Sequence, residues 1–252
     1  MKTIAIIQAR TGSTRLPGKI LMPLGGIPVI KLIIDRIKKC TEIDDVILAT
    51  TVHERDDPVA VLCNELKVRC FRGSESDVLD RYYSAAELFE LRDDDIVVRI
   101  TGDCPLIDPE VCDNVIALLK SSDADYVSNT VTRSYPDGLD CEAMRYAALK
   151  ESWQEAGSEY EREHVTQYIL KHPKIFKIEN YTYHQDFSYM RWTLDEPEDF
   201  EFIGAVVDGI GNNDFTMTDI LTFLDKQPEL LSINAAINRK ERLNNGRGED
   251  RV

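Results

Sequence analysis

The chain has 252 residues, of which 43% are hydrophobic and 30% are charged, a composition typical of one folded globular domain. Lysine and arginine total 30 against 45 aspartates and glutamates, which gives a formal net charge of −15 at pH 7. We predict no nucleic-acid partner and no membrane partner, because binding to either depends on a broad surface of exposed cations.

The charge is unevenly distributed along the sequence. Residues 1–39 hold eight basic residues against a single acidic one, so this segment carries a charge of +7. The basic residues between positions 31 and 39 can be explained as the solvated face of a helix. Arg10, Arg15 and Lys19 differ, because they fall in a turn-rich loop where several groups can converge on one ligand.

The sequence also bears on cellular location. The first apolar run, within MKTIAIIQAR, is about five residues long, too short for the core of a signal peptide or for a membrane helix. Six cysteines are scattered along the chain without a C-x-x-C pair, which favours reduced thiols over a disulfide framework or a zinc site. We therefore expect a cytoplasmic protein.

Up to about residue 130, short runs rich in Ile and Val alternate with helical patterns. This alternation predicts an α/β fold of the Rossmann-like kind, a mostly parallel sheet with helices on both faces. The predicted strands are Thr3–Gln8, Asp45–Thr50, Val68–Phe71, Asp95–Thr101 and Asp125–Ser128. The predicted helices between them are Pro28–Cys40, Asp57–Glu65, Ser76–Glu90 and Asp108–Leu119.

The pattern changes after residue 130. Strand-like segments are predicted at Asp140–Met144, Phe176–Tyr183 and Tyr189–Leu194. Helices are predicted at Arg145–Ala156, Tyr160–Leu170, Glu196–Ile210 and Thr216–Leu224. We interpret residues 130–190 as an inserted α+β subdomain or dimerisation arm within a single domain, 1–237. Residues 238–252 lack apolar periodicity and are predicted to be a flexible tail.

A loop with unusual chemistry follows the first predicted strand, Gln8-Ala-Arg-Thr-Gly-Ser-Thr-Arg-Leu-Pro-Gly-Lys19. It lies at the carboxyl end of the sheet, where open α/β folds bind ligands. It is not a Walker loop, because Pro17 interrupts the glycines and Ile20 follows Lys19, and a G-x-G-x-x-G fingerprint is also absent. Its amides and three cations suit a triphosphate, while an ordinary connecting loop with surface cations is the alternative.

This loop resembles the signature loop of the cytidylyltransferases that activate acidic sugars, the family of 3-deoxy-manno-octulosonate and acylneuraminate cytidylyltransferases, and in particular its spore-coat polysaccharide biosynthesis protein F branch. The resemblance extends to about residue 225. It implies the nucleotide-diphospho-sugar transferase fold and Mg²⁺-dependent transfer of CMP from CTP to an anionic acceptor, with release of pyrophosphate. The acceptor would be an acidic sugar, such as a nonulosonic or octulosonic acid, or a phosphorylated small molecule. It further implies a role in surface polysaccharide biosynthesis and a homodimer.

Within that resemblance, the first loop would bind CTP. Arg10, Arg15 and Lys19 would act in catalysis by offsetting the charge of the departing pyrophosphate. The loop residues implied to contact the nucleotide are Gln8, Ala9, Arg10, Gly12, Ser13, Arg15 and Lys19.

Two carboxylates follow later predicted strands. Asp103 comes after Thr101 and Gly102 at the same sheet edge as the loop, a position suited to holding Mg²⁺ against nucleotide phosphates. It matches the metal-binding Asp of the family motif G-D-x-P-L-I, and the two residues before it are expected to contact the nucleotide. Asp195 resembles the Asp of the D-x-P-E-D motif, which implies the same metal site. Capping of a turn or a helix is the alternative for both carboxylates.

Further candidates lie in three other segments. The segment from Phe71 to Arg81 resembles the one that closes over the nucleotide in the family, although capping explains its serines equally well. Together with the end of the second strand, it supplies the nucleotide candidates Thr50, Arg72, Gly73 and Ser74. Motifs resembling P-D-G-L-D-x-E and R-E-H-V-T of the spore-coat branch supply the acceptor candidates Tyr135, Asp140, Glu142, Arg162 and His164.

Other interpretations remain at this stage. The run Asp93-Asp-Asp95 resembles a D-x-D metal motif, but it precedes its strand at the opposite edge and is predicted to be a solvated turn. One alternative function is a sugar-1-phosphate nucleotidyltransferase that uses another nucleoside triphosphate. A second is a non-catalytic nucleotide-binding protein, against which the two candidate carboxylates and three loop cations argue.

Overall fold

A computed structural model of the protein describes residues 1–237, so the predicted C-terminal tail lies outside the described residues. Its strands are β1 (Thr3–Gln8), β2 (Pro23–Leu24), β3 (Ile27–Pro28), β4 (Asp45–Thr51), β5 (Arg69–Gly73), β6 (Ile96–Thr101), β7 (Tyr126–Ser128), β8 (Glu142–Arg145) and β9 (Ile178–Asn180). Its α-helices are α1 (Val29–Ile37), α2 (Asp57–Glu65), α3 (Val78–Glu87), α4 (Pro109–Ser121), α5 (Tyr146–Glu155), α6 (Glu159–Glu163), α7 (Gln167–Lys171), α8 (Pro197–Ile210) and α9 (Met217–Lys226).

Seven of these strands form one sheet in the order β5-β4-β1-β6-β8-β7-β9. The pairs β5–β4, β4–β1, β1–β6 and β7–β9 are parallel, whereas β8 runs antiparallel to both of its neighbours. The predicted α/β fold with a mostly parallel sheet is therefore confirmed. A short hairpin, β2–β3, was not predicted, and it turns through Gly25 and Gly26, both of which have positive φ.

Two apolar layers cover the sheet, one on each face. Side chains of β1 alternate between them: Ile4 and Ile6 join one layer, and Ala5 and Ile7 join the other, as expected of successive residues in a strand. All four residues are 0% exposed, and burial of each isoleucine side chain contributes roughly 1.5–3 kcal/mol. Helices α3, α5 and α7 pack in the first layer, and α1, α4, α8 and α9 pack in the second.

The segment predicted to be an inserted subdomain contributes strands to the central sheet. Strand β8 pairs with β6 and β7, and β9 extends the sheet beyond β7. Ala143 joins one core layer and Met144 the other. In the part of the chain that the structure describes, the apolar residues of β8 thus share the two layers of the rest of the domain.

The single helix predicted for Tyr160–Leu170 is wrong. The chain forms α6, leaves the helical path, and then forms α7. Val165 between them has a φ of 54° and is 1% exposed, and Thr166 donates a hydrogen bond of 2.6 Å to the buried Glu142. The break draws this turn inward against the sheet.

The strand predicted at Tyr189–Leu194 is also wrong, although the segment is extended. It forms one isolated parallel bridge, between Asp137 and Arg191, because its neighbour is a loop and not a strand of the sheet. Gly138 in that loop has a φ of 117°, and a Cβ there would lie 2.5 Å from the carbonyl carbon of Trp192. Only glycine allows this approach.

In the described range, residues 1–237, none of the helices combines the length and the apolar character needed to cross a bilayer.

Candidate active site

A cavity of about 370 Å³ opens at the carboxyl ends of β1 and β6. Much of its wall is the loop after β1, with Gln8, Ala9, Arg10, Gly12, Ser13, Arg15 and Lys19. Predicted site residues from other segments complete the wall, namely Thr101, Gly102, Asp103, His164 and Asp195. The structure therefore brings together residues that lie up to 187 positions apart in the sequence, at the sheet edge where open α/β folds bind ligands.

Backbone contacts fix the shape of the loop after β1. The amide of Gly18, whose φ is 70°, donates to the carbonyl of Thr11 at 3.0 Å. Thr11 in turn donates its amide and its hydroxyl to Oδ1 of Asp56, both at 2.7 Å. Asp56 is 0% exposed, and its other oxygen accepts from the hydroxyl of Thr51. One buried carboxylate thus fixes the start of the loop to the segment after β4.

A close approach of two segments brings the loop next to the end of β6. A Cβ on Gly102 would lie 2.9 Å from the carbonyl oxygen of Gln8. Glycine is therefore required for this contact, since real Cβ atoms do not approach backbone oxygens so closely. The contact places Asp103, the next residue, beside the loop.

Lys19 connects the two predicted metal-binding carboxylates. Its Nζ lies 2.8 Å from Oδ1 of Asp195, 4.0 Å from Oδ2 of Asp103 and 2.6 Å from the carbonyl oxygen of Leu194. The Asp103 carboxylate also accepts a hydrogen bond from the hydroxyl of Thr101. Two carboxylates from distant segments therefore meet around one ammonium group at the cavity wall.

The two loop arginines are also paired with acids. Arg15 lies 2.9 Å from Asp195 and 2.8 Å from Glu196, and Arg10 lies 2.8 Å from Glu75. Burial alone would raise the pKa of Asp195, but the neighbouring Lys19 and Arg15 lower it on balance. Asp195 is therefore an anion at neutral pH, and every one of the three loop cations has an acidic partner.

The donor set fits a magnesium ion that is completed by a ligand. The side chains of Asp103 and Asp195 are 32% and 20% exposed and line the same cavity. Mg²⁺ in nucleotide enzymes is commonly held by one or two carboxylates together with substrate phosphates. Within residues 1–237, there is no group of three or more His, Cys, Asp or Glu side chains that could hold a metal, so substrate oxygens and water would supply the remaining ligands.

The structure places several nucleotide candidates outside the cavity wall, namely Thr50, Arg72, Gly73 and Ser74. Thr50 is 0% exposed within β4. Arg72 pairs with Asp57 at 2.7 Å. The hydroxyl of Ser74 accepts the amide of Asp77 at 3.0 Å in the turn before α3, while the N-cap of that helix is Asp77 and not Ser74.

Most acceptor candidates also lie outside this wall. The Tyr135 ring is buried against Tyr181, and Arg162 forms two-pronged hydrogen bonds with Asp77. The remaining candidates differ in position: Asp140 pairs with Arg133 at 3.6 Å, Glu142 pairs with the buried Arg99, and His164 lines the cavity. Of the acceptor candidates, His164 alone lines the cavity.

Sequence reasoning missed two arginines of the wall, Arg81 on α3 and Arg99 on β6. They are only 2% and 6% exposed. Arg99 interrupts the apolar run of β6, and a cation at a position that the strand pattern buries is a signal that could have identified it. Arg81 lies on the buried face of an amphipathic helix, where the pattern predicts an apolar residue.

The sequence model of the family described as Cytidylyltransferase matches residues 4–235. The uncharacterized protein MJ1063 of Methanocaldococcus jannaschii is 39% identical over 245 residues, which cover 95% of this chain and 97% of that protein. The spore coat polysaccharide biosynthesis protein SpsF of Bacillus subtilis is 33% identical over 232 residues, 89% of this chain and 94% of that protein.

Solved structures give the same result. A cytidylyltransferase from Leptospira borgpetersenii has a TM-score of 0.88 at 32% identity and covers 95% of this chain and 100% of its own. CMP:2-keto-3-deoxy-manno-octonic acid synthetase complexed with CTP has a TM-score of 0.62 at 19% identity, covering 82% and 99%, and supports the fold. The predicted resemblance and the nucleotide-diphospho-sugar transferase fold are confirmed. This chain therefore belongs to the cytidylyltransferase family, whose members are nucleotidyltransferases.

Proposed function

We propose that this protein transfers CMP from CTP to an anionic acceptor, an acidic sugar, and releases pyrophosphate. One observation carries the proposal: the carboxylates of Asp103 and Asp195 both contact the ammonium group of Lys19. All three residues line the cavity, together with Arg10 and Arg15 of the loop after β1. This arrangement supports the proposal, because phosphoryl transfer needs cations, and carboxylates able to hold Mg²⁺, at one cavity.

In this mechanism an acceptor hydroxyl loses its proton to solvent and its oxygen bonds to the α-phosphorus of CTP. The bond from that phosphorus to the bridging oxygen breaks, with its electron pair leaving on pyrophosphate. Arg10, Arg15 and Lys19 would exchange their acidic partners for phosphate oxygens and stabilise the leaving charge. Asp103 and Asp195 would hold Mg²⁺, which when bound neutralises phosphate charge. Catalysis would consist mainly of positioning and charge neutralisation.

The biological setting is part of the proposal. The relative SpsF is named for spore coat polysaccharide biosynthesis, and 3-deoxy-manno-octulosonate cytidylyltransferase 2 of Hydrogenovibrio crunogenus is 38% identical over half of this chain. We infer that the acceptor is an acidic sugar of a surface polysaccharide. The six free cysteines support a cytoplasmic reaction.

The first test replaces a proposed metal ligand. Asp103→Asn keeps the size of the side chain but removes its charge, so pyrophosphate release from CTP and Mg²⁺ should fall by on the order of 100-fold or more. The assay is coupled pyrophosphate detection over a panel of acidic sugars.

The matched control is Asp94→Asn, at an exposed position in the acidic run before β6, which should retain wild-type turnover. Near wild-type turnover of Asp103→Asn would overturn the assignment of Asp103. A preference for UTP or GTP over CTP would favour the sugar-1-phosphate alternative. Binding of CTP without pyrophosphate release over the whole panel would favour a non-catalytic role.

A further inference from the structure

Asp199, in the first turn of α8, is a carboxylate that the proposed mechanism does not use. It is 0% exposed, and burying a charged group is costly unless the group is paired and hydrogen-bonded. Asp199 forms a capping box with Glu196 at the start of α8. A capping box needs its acidic residue to accept one amide, that of the N-cap residue. Asp199 accepts more hydrogen bonds than this role requires.

Two main-chain amides meet at one oxygen of Asp199. Its Oδ2 accepts the amide of Glu196 at 3.0 Å, which is the capping bond, and also the amide of Asp195 at 3.0 Å. Asp195 precedes the N-cap residue, so this second bond is not needed to cap the helix. It fixes instead the main chain of a residue whose side chain lines the cavity.

Two side chains from other segments complete the surroundings of Asp199. Arg191 donates from Nε to Oδ1 at 2.8 Å and from Nη2 to Oδ2 at 2.7 Å, a two-pronged pairing that fixes geometry as well as charge. Asn234, which is 4% exposed, donates to Oδ1 of Asp199 at 3.0 Å and to the main-chain carbonyl of Arg191 at 2.9 Å. The buried ion pair is therefore held in one geometry from several sides.

Arg191 also reaches Asp195 itself. Its Nη2 lies 3.7 Å from Oδ2 of Asp195, and its Nη1 lies 3.8 Å from Oδ2 of Asp137. The side chain of Arg191 is 10% exposed and does not line the cavity, whereas Lys19 and Arg15, which also pair with Asp195, do line it. A triphosphate in the cavity would therefore compete for Lys19 and Arg15 but would not reach Arg191.

The P-D-G motif, whose resemblance implies acceptor contacts, takes part in this arrangement. Asp137 of the motif forms the isolated bridge with Arg191. The amide of Asp137 donates to the carbonyl of Met190 at 2.9 Å, and its carbonyl accepts the amide of Trp192 at 2.6 Å. These bonds fix the main chain on both sides of Arg191, so the motif supports the guanidinium group that lies behind Asp195.

We propose that Asp199 and Arg191 are positioning residues for Asp195, and that they keep its carboxylate directed to the cavity when a ligand takes Lys19 and Arg15. This inference rests on the proposed function and adds to it the groups that orient one metal ligand. Replacing a side chain that orients a metal ligand typically costs about 10–100-fold in metal affinity or activity. A residue that only caps α8 would affect stability and not metal-dependent binding.

The test separates metal-dependent from metal-independent binding of the nucleotide. Calorimetry would use a CTP analogue with a methylene group in place of the oxygen between its α- and β-phosphates, once with saturating Mg²⁺ and once with EDTA. Wild type should bind it more tightly with Mg²⁺. Asp199→Asn should bind it about tenfold or more weakly than wild type with Mg²⁺, and almost equally in EDTA. The reason is that the NH₂ group of asparagine would face N–H donors in either orientation.

Asp219→Asn is the matched control. Asp219 holds the same position in the capping box of α9, where it accepts the amide of Thr216 at 2.8 Å, but it is exposed and lies outside the cavity wall. This variant should lower the melting temperature and leave both affinities unchanged. Circular dichroism would verify folding. Asn234→Ala removes one donor to Asp199 and should weaken binding with Mg²⁺ several-fold, which provides a second route if Asp199→Asn does not fold.

The outcomes distinguish this inference from the proposed function. Unchanged affinity of the Asp199 variant with Mg²⁺, or of Asn234→Ala in its place, would overturn the inference alone, as would equal losses with Mg²⁺ and with EDTA. Wild-type binding that does not respond to Mg²⁺ would overturn the inference together with the metal site. A loss confined to Mg²⁺, without pyrophosphate release by wild type over the acceptor panel, would instead contradict the proposed function alone.

Discussion

At the scale of single residues, the candidate site depends on carboxylates that hold cations and amides in place. Asp56 is the clearest case, because both of its oxygens accept hydrogen bonds from the segments that meet at the start of the loop. Burial would raise the pKa of Asp56, but the hydrogen bonds from Thr51 and Thr11 lower it on balance. The carboxylate is therefore ionised at neutral pH, and both of its oxygens are used in hydrogen bonds within the protein.

We predict that Asp56→Asn destabilises the protein by about 1–3 kcal/mol at pH 7. Both oxygens of the aspartate accept hydrogen bonds, whereas the NH₂ group of asparagine cannot accept one. The loop would also lose its anchor at Thr11, so the KM for CTP should rise. Urea unfolding and steady-state pyrophosphate release measure the two effects. An unchanged free energy of unfolding would contradict the anchoring role.

The same carboxylate predicts a pH dependence. Because the folded-state pKa of Asp56 lies below its ordinary value, its contribution is fully present above the unfolded pKa of about 3.9 and is lost as pH falls through the folded pKa. The stability difference between wild type and Asp56→Asn should therefore be constant from neutral pH down to about 5 and shrink below about 4. A difference that changed around pH 7 would show that another group is responsible.

The site residues differ in how far sequence could identify them. The loop cations and Asp103 were predictable, because their residue types directly follow buried strands and parallel strands end at one edge. The role of Ser74 could not be predicted, because Ser74, Ser76 and Asp77 are all residue types that cap helices and the pattern does not say which one does; in the structure it is Asp77. Arg99 was missed because its partner, Glu142, is 43 residues away in an antiparallel strand that the pattern did not pair with β6.

At the scale of elements, the turn between α6 and α7, which brings His164 to the cavity wall, contains a strained backbone position at Val165. Val165 is β-branched yet has a φ of 54°, a conformation that costs an L-residue about 1–2 kcal/mol. Packing of Val165 in the core and the hydrogen bond from Thr166 to Glu142 hold the turn. Strained residues of this kind cluster at ligand sites.

We predict that Thr166→Val, which removes one hydroxyl and preserves shape, destabilises the protein by about 1–3 kcal/mol. It should also reduce acceptor-dependent turnover more than CTP binding, because Glu163 and His164 in the same turn line the cavity. Urea unfolding and pyrophosphate release provide the measurements. Thr222→Val is the control, since its hydroxyl donates to a helix carbonyl at an exposed position of α9, and it should have little effect on either.

The elements that sequence predicted well are those with a buried periodic pattern and clear ends. Strand β1 has the predicted bounds, and α4 begins at Pro109, one residue after the predicted start. Asp108 caps this helix, and its carboxylate accepts the amide of Glu110 at 2.8 Å. The extended segment at Tyr189–Leu194 was mistaken for a strand because Trp192 and Leu194 alternate with less buried residues. The backbone hydrogen bonds of this segment go to loops. Alternation of apolar and polar residues predicts an extended chain but does not show which segment the chain pairs with.

At the scale of the whole molecule, the sheet explains why the first half of the chain was easier to predict. Strands β1, β4, β5 and β6 pair in parallel through the helical connections that alternation predicts. After β7 the chain reverses direction, and β8 lies antiparallel between β6 and β7, two strands that precede it in the sequence. Such an insertion between strands depends on tertiary contacts, which the local pattern of residues 130–190 does not reveal.

We also predict a homodimer, the state that the family resemblance implies for the segment between β7 and β9. Light scattering should give about twice the chain mass of 28.7 kDa at concentrations used for the assay. A mass equal to one chain over that range would refute the dimer without bearing on the chemistry of the cavity.

The pairing of each loop cation with an acid of the protein affects the free energy of nucleotide binding. A triphosphate that takes Arg15 and Lys19 leaves Asp195 and Glu196 without their cationic partners. The free energy of nucleotide binding therefore includes the cost of exposing these anions, and a divalent cation at Asp195 would remove that cost. If the protein binds Mg²⁺ as proposed, nucleotide and metal affinities will be thermodynamically linked, and each ligand should strengthen the binding of the other by the same factor.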